Sequence, residues 1–302
     1  MRMKRRAFLA RSVSLVGGVL LGSGCAEDKR IGQRIKVFDP YERVALGKTG
    51  IKVTRVGFGT GMRGGGRQSN QTRLGKETFE ALLRASYEDG VRLFDAADLY
   101  GTHPYLASAL HQMPREDYVL VSKIWWRRGG IPEKERPDAD VVVGRFLKEL
   151  KTDYIDVILL HCVGSASWPE ELSKQMETLA KLKKKGVIRA HGVSCHSLEA
   201  LEAAVHEPWV DSVHARINAY GTKMDGPPQE VVPVLQKLHE AGKGVIGMKL
   251  IGEGEFRDSD ERRDASVRYV LELGCVDAMV VGFEKAHEVY DFAARVRKVP
   301  AG

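Results

Sequence analysis

The sequence is poor in cysteine and has no long apolar run. Its four cysteines are Cys25, Cys162, Cys195 and Cys275. No two of them form a CxxC pair, which argues against a disulfide framework and against a zinc site, so no metal is expected. The uncharged stretch at residues 12–24 has 13 residues, whereas a helix needs about 20 to cross a bilayer. A permanent membrane span is therefore not expected.

A long basic stripe is also absent, although the formal net charge is +7. Five of the positive charges precede residue 24 with no acidic residue among them: Arg2, Lys4, Arg5, Arg6 and Arg11. Without these five the net charge is +2, which argues against a nucleic-acid partner. What the sequence does have is 43% apolar and 29% charged residues, the composition of a globular protein with a sizeable core.

Residues 1–25 have the order of an export signal. A basic cluster is followed by the uncharged stretch and then by a small-residue segment that ends at Cys25. The run KRRAFL at residues 4–9 resembles the twin-arginine motif, in which paired arginines are followed one residue later by Phe-Leu. We therefore expect the twin-arginine export machinery, which carries proteins already folded, to recognise this chain.

Cys25 ends the run LLGSGC, which resembles a lipoprotein box, where the cysteine thiol is lipidated and becomes the mature N-terminus. Gly22 stands where that box usually has Leu, so a soluble exported protein and an uncleaved signal stay open as alternatives. The expected location is periplasmic or anchored to a membrane through lipid at Cys25. It is the cytoplasmic face if the signal is not used.

The rest of the chain is expected to form a linker at residues 26–42 and one folded domain at residues 43–302. Two short alternating runs, 43–45 and 52–54, flank the turn GKTG and predict a β-hairpin. Short apolar runs then alternate with amphipathic segments, which is the pattern of parallel strands joined by crossover helices. Eight such strands are expected, at residues 55–58, 91–95, 118–123, 155–161, 188–194, 211–218, 244–249 and 277–282. Eight strand-helix units close most simply into a single (β/α)8 TIM barrel.

Polar residues that could carry chemistry lie at the ends of predicted strands. Asp95, Lys123 and His161 end the second, third and fourth strands, and Tyr100 lies in the loop just after Asp95. Barrel enzymes place their active sites at the C-terminal ends of the strands. Taken singly, an Asp in such a place often caps the next helix and a buried His is often structural. Their occurrence together predicts an active site at this end of the barrel.

The segments around these residues resemble those of the aldo/keto reductase family. VRLFDAADLYG at residues 91–101 resembles the family signature FDTAxxYG and departs from it only at Ala96, where the family has Thr. VSKIWW at residues 121–126 is similar to the family's strand-end lysine segment, and YIDVILLHCVG at residues 154–164 is similar to its YxDLxxLH motif. The opening of the barrel, LGKTGIKVTRVGFGT, is similar as well. The resemblance extends from about residue 44 to residue 292.

This resemblance implies reduction of an aldehyde or ketone to the alcohol, with NADP(H), or alternatively NAD(H), as the hydride source. It makes Tyr100 the proton donor to the carbonyl oxygen of a small-molecule substrate. A phenol with an ordinary pKa of about 10 is a poor acid at neutral pH, so Lys123 is expected to supply a nearby cation. Asp95 is expected to keep that lysine charged. His161 is expected to hydrogen-bond the substrate oxygen and orient it.

The resemblance also implies cofactor contacts at the ends of other strands. The residues expected to make them are Thr60, Ser194, Cys195, His214, Met248, Lys249, Gly282 and Lys285. Ser194 and Cys195 stand where the family has Ser-Asn, and a thiol is a weaker hydrogen-bonding group than an amide. His214, near the position of the family's Gln, is expected to restore a polar contact. Met248 would pack on the nicotinamide face, or would be an ordinary core methionine.

Two further expectations concern nucleotide preference and substrate. In the family, cationic side chains just after the last strand bind the 2′-phosphate of NADP(H), and an arginine is often among them. Glu288 falls about where that arginine would be, and Lys285 is a nearby cation, so only a modest preference for NADPH over NADH is expected. Trp125 and Trp126 closely follow Lys123 and are expected to line the substrate pocket.

Two other functions stay open at this stage. The chain could be a hydrolase or lyase, because barrels of this kind host many chemistries. Some aldo/keto reductase barrels serve as cofactor-binding accessory subunits, so a redox-sensing lipoprotein with little turnover is the second alternative. The joint presence of Asp95, Tyr100, Lys123 and His161 favours catalysis.

Overall fold

The strands of the domain are short and mostly buried. The computed structural model describes residues 36–136 and 138–302, and its strands are β1 (Arg43–Ala45), β2 (Lys52–Thr54), β3 (Val56–Gly59), β4 (Leu93–Asp95), β5 (Val119–Ile124), β6 (Ile155–Val163), β7 (Ile188–Cys195), β8 (Ser212–Arg216), β9 (Gly244–Met248) and β10 (Ala278–Val281). The last eight close into a barrel in the order β10-β3-β4-β5-β6-β7-β8-β9, and every neighbouring pair is parallel. The predicted (β/α)8 barrel is therefore confirmed.

Helices cover the outside of the barrel. Their bounds are α1 (Asn70–Arg73), α2 (Lys76–Asp89), α3 (His103–Leu110), α4 (Ala139–Leu150), α5 (Trp168–Glu171), α6 (Ser173–Lys184), α7 (Leu198–His206), α8 (Pro228–Glu240), α9 (Asp260–Glu272) and α10 (Ala286–Val296). Short 3-10 helices lie at Asp98–Tyr100, Arg115–Asp117, Glu133–Glu135 and Gly252–Gly254. In α2, Phe79, Leu82 and Leu83 recur at helical spacing and are buried against the strands. The helix ends at Gly90, whose φ of +126° favours glycine.

The hairpin of β1 and β2 is present as predicted, and it covers the N-terminal end of the barrel. Leu46, Ile51 and Val53 are buried in one cluster with side chains from the barrel interior. The Gly47 N–H donates to the Asp277 carboxylate over 3.2 Å, just before β10 begins. The hairpin therefore closes the end opposite to the C-terminal strand ends, where an active site is expected.

The folded unit begins before β1. It extends over residues 36–302, and the Phe38 N–H donates to the Val299 carbonyl over 3.0 Å, while the Ala301 N–H donates to the Lys36 carbonyl over 2.8 Å. The chain from Lys36 to β1, which the sequence suggests as linker, is thus bound to the C-terminal residues. The export-signal prediction and Cys25 lie outside the described residues.

Strand β6 is longer than the sequence predicts. It continues past His161 to Val163, and its register with β7 shifts between Leu160 and Val163. Cys162 adopts a left-handed conformation with φ of +61° inside this irregularity. Bulges of this kind change the direction of a side chain and are common beside active sites. Because His161 lies within this irregularity, the bulge influences the direction of the His161 side chain.

Three negative findings hold within the described ranges. No helix there is long and apolar enough to cross a membrane. In the same ranges, no cluster of three or more His, Cys, Asp or Glu side chains could hold a metal ion. Cys162, Cys195 and Cys275 are free and buried.

Candidate active site

Asp95 and Lys123 form a buried ion pair at the C-terminal ends of neighbouring strands β4 and β5. The Lys123 ammonium donates to the two Asp95 carboxylate oxygens over 2.6 and 2.7 Å and to the Ala96 carbonyl over 2.9 Å. Burial alone would raise the pKa of Asp95, but Lys123 and a hydrogen bond from His214 outweigh it and hold the pKa at about 2, below its ordinary 3.8. Asp95 is therefore a carboxylate at neutral pH, and all three ammonium protons have acceptors.

Tyr100 is the last residue of the 3-10 helix that follows β4. Asp98, in the same turn, accepts from Arg145 over 2.6 Å and from Arg67 over 3.2 Å. Gly101 ends the turn in the left-handed region at φ of +66°, where an added Cβ would lie 2.1 Å from the Arg67 carbonyl oxygen. The ion pairs and the tight turn fix the backbone from which the phenol projects.

The Tyr100 ring packs against glycines of the loop after β3. A Cβ added to Gly61 would lie 2.3 Å from two ring carbons, and one added to Gly64 would lie 2.4 Å from another. The ring also lies beside the ion pair, with the Lys123 nitrogen 5.1 Å from its centroid. The hydroxyl lies 3.3 Å from Nε2 of His161. The structure thus brings together all four residues that the sequence predicts as the site.

The pKa of Tyr100 lies well above 10, because burial removes water from the phenol and the Asp95 carboxylate is close. The charge of Lys123, whose nitrogen lies 5.1 Å from the ring centroid, does not outweigh these two effects. The reason is that the ammonium donates to Asp95 and Ala96, and no hydrogen bond joins it to the Tyr100 hydroxyl in the described part of the chain. The phenol is fully protonated at neutral pH and retains a proton that it can donate.

His161 is held as a neutral ring beside the phenol. Burial, followed by the charge of Lys123, lowers the pKa of His161 well below its usual range. Trp125 meets its ring edge-to-face at 5.5 Å between centroids, and Trp126 donates its indole N–H to the His161 carbonyl over 2.7 Å. Trp126 thus binds the backbone of β6, while Trp125 packs against the imidazole; neither is part of the wall of the cavity beside Tyr100, so their place in a substrate pocket stays a prediction.

A cavity of about 510 Å³ opens beside Tyr100 and extends to the loops after β9 and β10. Its wall includes Met248, Lys249 and Gly282 among the predicted cofactor residues. Lys285 is exposed and is not part of that wall. The prediction that Lys285 binds a cofactor phosphate therefore lacks support from its position, since the lysine is at the outer N-terminus of α10.

The other predicted cofactor residues are buried outside the cavity wall. Thr60 donates its hydroxyl to the Asp95 carbonyl over 2.8 Å, and Ser194 accepts from the Cys162 N–H over 3.0 Å. Cys195 is completely buried in the core. His214 contacts Asp95, with 3.0 Å between Nε2 and a carboxylate oxygen. Of these four residues, Thr60 and His214 thus contact Asp95 and not the cavity, which the sequence could not show because it gives no strand orientation.

Two cations of the cavity wall already bind carboxylates. Lys249 binds Glu253 over 2.9 Å, and Arg257 binds Glu284 over 2.9 Å. Glu288 accepts from the backbone N–H groups of Glu284 and Lys285, over 2.7 and 3.3 Å, at the start of α10. A carboxylate therefore occupies this helix N-terminus, where an anion would otherwise bind.

The packing of the ring gives a sharp test of how Tyr100 is positioned. We expect Gly61→Ala to displace the ring and to lower kcat/KM for a carbonyl substrate roughly 100-fold, because small misplacements of a reacting group cost about that much. Gly65→Ala is the matched control, since a Cβ there meets nothing within 4 Å. Equal kcat/KM in the two variants, measured side by side, would show that the glycines do not position Tyr100.

Comparison with known proteins gives a consistent result over most of the chain. The sequence model of the aldo/keto reductase family matches residues 55–296. L-galactose dehydrogenase of Arabidopsis thaliana is 30% identical over 158 residues, which cover 50% of this chain and 47% of that protein. NADH-specific methylglyoxal reductase of Escherichia coli is 25% identical over 213 residues, which cover 64% of this chain and 63% of that protein. The chain thus spans about half to two thirds of the length of these relatives.

Solved structures agree with the barrel. A putative aldo-keto reductase from Pseudomonas aeruginosa superposes with a TM-score of 0.69 at 26% identity, covering 87% of this chain and 97% of that one. An aldo-keto reductase from Klebsiella pneumoniae, solved in complex with NADPH, superposes with a TM-score of 0.64 at 21% identity, covering 86% and 92%. At 21% identity, the similarity to the Klebsiella pneumoniae structure shows a shared fold.

Proposed function

Since this chain belongs to the aldo/keto reductase family, we propose that it reduces an aldehyde or ketone to the alcohol with NADP(H) or NAD(H), and that Tyr100 donates the proton. The observation that carries this proposal is the Tyr100 hydroxyl, protonated and 3.3 Å from a neutral His161, beside the buried Lys123–Asp95 pair. The arrangement supplies an acid and a second polar group for one carbonyl oxygen.

The residues that line the cavity suit a nicotinamide nucleotide. Near Tyr100 its wall is formed by Gly59 and Gly61, which leave room, and by the apolar Met248. Farther out, Lys249 and Arg257 carry positive charge that can bind phosphate oxygens when they release their carboxylate partners. When bound, the reduced nicotinamide supplies hydride to the carbonyl carbon. Two similar proteins, one named NADH-specific and one solved with NADPH, support the choice of nucleotides.

The polar residues around the carbonyl have different roles in its reduction. With its proton on Nε2, neutral His161 donates a hydrogen bond to the carbonyl oxygen and orients it toward the Tyr100 hydroxyl. As the oxygen gains negative charge it takes the phenolic proton, and the ammonium of Lys123 stabilises the tyrosinate that remains. Asp95 holds Lys123 in place through the buried ion pair.

An activity assay of the purified protein, with both nucleotides and a panel of aldehydes and ketones, tests this function directly. We expect nucleotide oxidation and alcohol formation in equal amounts. Products of hydrolysis or bond cleavage without nucleotide oxidation would instead indicate another class of barrel enzyme.

The outer end of the cavity predicts which nucleotide binds better. Glu288 caps α10 and Lys285 lies outside the wall, so we expect NADH to bind at least as tightly as NADPH, rather than the modest NADPH preference that the sequence suggests. Glu288→Gln keeps an oxygen for the cap but removes the charge, and it should tighten NADPH binding about tenfold, or about 1.4 kcal/mol, because it removes the repulsion between the carboxylate and the 2′-phosphate. NADH binding should change little.

Calorimetric Kd values for both nucleotides provide the measurement, with Lys285→Ala as the companion variant. We expect that variant to leave both Kd values unchanged. Tenfold tighter binding of NADPH by the wild type, lost in Lys285→Ala, would place the phosphate at Lys285 and contradict this assignment.

We further propose that the protein is exported by the twin-arginine machinery and anchored through lipid at Cys25. The paired arginines Arg5 and Arg6 and the run before Cys25 support this. Replacing both arginines by lysine should retain the protein in the cytoplasm, and Cys25→Ser should abolish labelling by a radioactive fatty acid. Wild-type protein that is exported without taking up the label would contradict the anchor but not the export.

A further inference from the structure

His214 is a buried histidine that reaches the active-site carboxylate from the far side of the barrel. It lies on β8, whereas Asp95 ends β4, and in the closed order three strands separate these two on either side. The His214 side chain has no exposed surface, and its Nε2 lies 3.0 Å from Oδ1 of Asp95. The contact joins opposite walls of the barrel through the one carboxylate that also binds Lys123.

The protonation states of Asp95 and His214 determine which of the two donates the hydrogen bond. Asp95 has a pKa of about 2 and carries no proton at neutral pH, so its oxygens only accept. Burial lowers the pKa of His214, so its ring is neutral and bears a single proton. That proton must be on Nε2, because a ring nitrogen without a proton would repel the carboxylate oxygen. Nδ1 is then unprotonated, and it has no partner among the described residues.

The hydrogen bond acts on the proton donor through Asp95. Lys123 donates two of its ammonium protons to Asp95 and the third to the Ala96 carbonyl. It therefore has no further hydrogen bond to offer the carboxylate. The Asp95 charge is one cause of the high pKa of Tyr100, second to burial. A donor on Oδ1 disperses that charge and fixes the orientation of the carboxylate, and thereby the position of the ammonium that faces the tyrosinate.

We propose that His214 is a positioning residue for the proton-donating step, holding Asp95 through Nε2–H from the opposite side of the barrel. This rests on the proposed carbonyl reduction and goes beyond it, since His214 acts through Asp95 and not on the cofactor, in contrast to the sequence-based expectation.

Two variants separate the hydrogen bond from packing. His214→Leu fills the space without a donor, and we expect kcat to fall about 10- to 100-fold, the usual loss when the partner that orients a functional group is removed. KM for the carbonyl and Kd for the nucleotide should stay within about twofold. His214→Gln retains an N–H donor and should recover most of the lost kcat.

His191→Leu is the matched control. His191 is also a buried barrel histidine, but it stacks on Trp209 at 4.2 Å between centroids and lies 3.2 Å from Asp211, the carboxylate that it contacts in place of Asp95. It should lose stability without the selective fall in kcat. A raised nucleotide Kd with unchanged kcat in His214→Leu would make His214 a cofactor ligand and overturn the proposal, as would an unchanged kcat or failure of His214→Gln to recover.

Nitrogen NMR of the histidine rings tests the contact without turnover. We expect His214 to be the Nε2–H tautomer in the resting protein and its signals to shift in Asp95→Asn. An Nδ1–H tautomer would overturn the proposal even if the wild type were inactive. A wild-type protein that reduces no carbonyl compound but shows the Nε2–H tautomer would count against the proposed function, and against His214 only as part of that function.

Discussion

Tyr100→Phe is expected to lower kcat/KM for carbonyl reduction about 1000-fold, within the range of about 100- to 10,000-fold that a general acid contributes. The variant removes the phenolic proton that would be donated to the carbonyl oxygen. The ring still fills the space against Gly61 and Gly64. The lost hydrogen bond to His161 is long, at 3.3 Å, so the free energy of unfolding should change by about 1 kcal/mol or less.

Steady-state kinetics, urea unfolding and nucleotide Kd provide the three measurements. Tyr105→Phe is the matched control, because Tyr105 packs on Phe79 at 5.2 Å between centroids, on the helix after the active-site turn. A folded Tyr100→Phe protein that turns over at the wild-type rate would refute the role of the phenol. Loss of nucleotide binding together with activity would show that Tyr100 serves the cofactor instead.

Lys123→Met should lose activity as severely and should also destabilise the fold. Within residues 36–136 and 138–302, the substitution leaves the buried Asp95 carboxylate with His214 as its one side-chain partner, and breaking a buried ion pair in this way costs about 3–5 kcal/mol. The Lys123→Met/Asp95→Asn double variant removes the stranded charge. It should recover most of the stability and none of the activity.

The pH dependence of that loss has a definite sign. In the wild type the pKa of Asp95 is depressed to about 2, so the stability from the ion pair is present above the unfolded value of 3.8 and is lost as the pH falls toward 2. Without Lys123, burial raises the pKa of Asp95, and the variant gains stability as acid neutralises the carboxylate. The difference in unfolding free energy between the two proteins should therefore shrink from pH 7 to about pH 4. A constant difference, or none at pH 7, would contradict the account of the pair.

The barrel could be predicted from the sequence because the spacing of apolar residues and the residues that end each element agree along the chain. In α2 (Lys76–Asp89), for example, apolar residues recur at helical spacing in the sequence, and Gly90 follows as the residue that ends the helix. Asp95, Lys123 and His161 could be placed together because parallel strand ends meet at one end of a barrel, whatever the details of packing.

Contacts within the site could not be predicted in the same way. The space that Gly61 provides for Tyr100 depends on a loop conformation, and the reach of His214 to Asp95 depends on which way β8 faces across the barrel. Glu288 could be recognised as a carboxylate where a cation was expected, but its role as a cap depends on backbone geometry at α10. Lys285 is close to that site in sequence, yet it lies outside the cavity wall for the same reason.

In the proposed reaction, hydride reaches a carbonyl carbon in the cavity beside Tyr100. Turnover with a nucleotide deuterated at C4 of the reduced nicotinamide, on the transferred face, tests it most directly. We expect one deuterium on the carbinol carbon of each alcohol molecule formed by the wild type, and almost no labelled alcohol from Tyr100→Phe over the same period. Alcohol without deuterium at that carbon, or labelled alcohol formed equally fast by Tyr100→Phe, would contradict it.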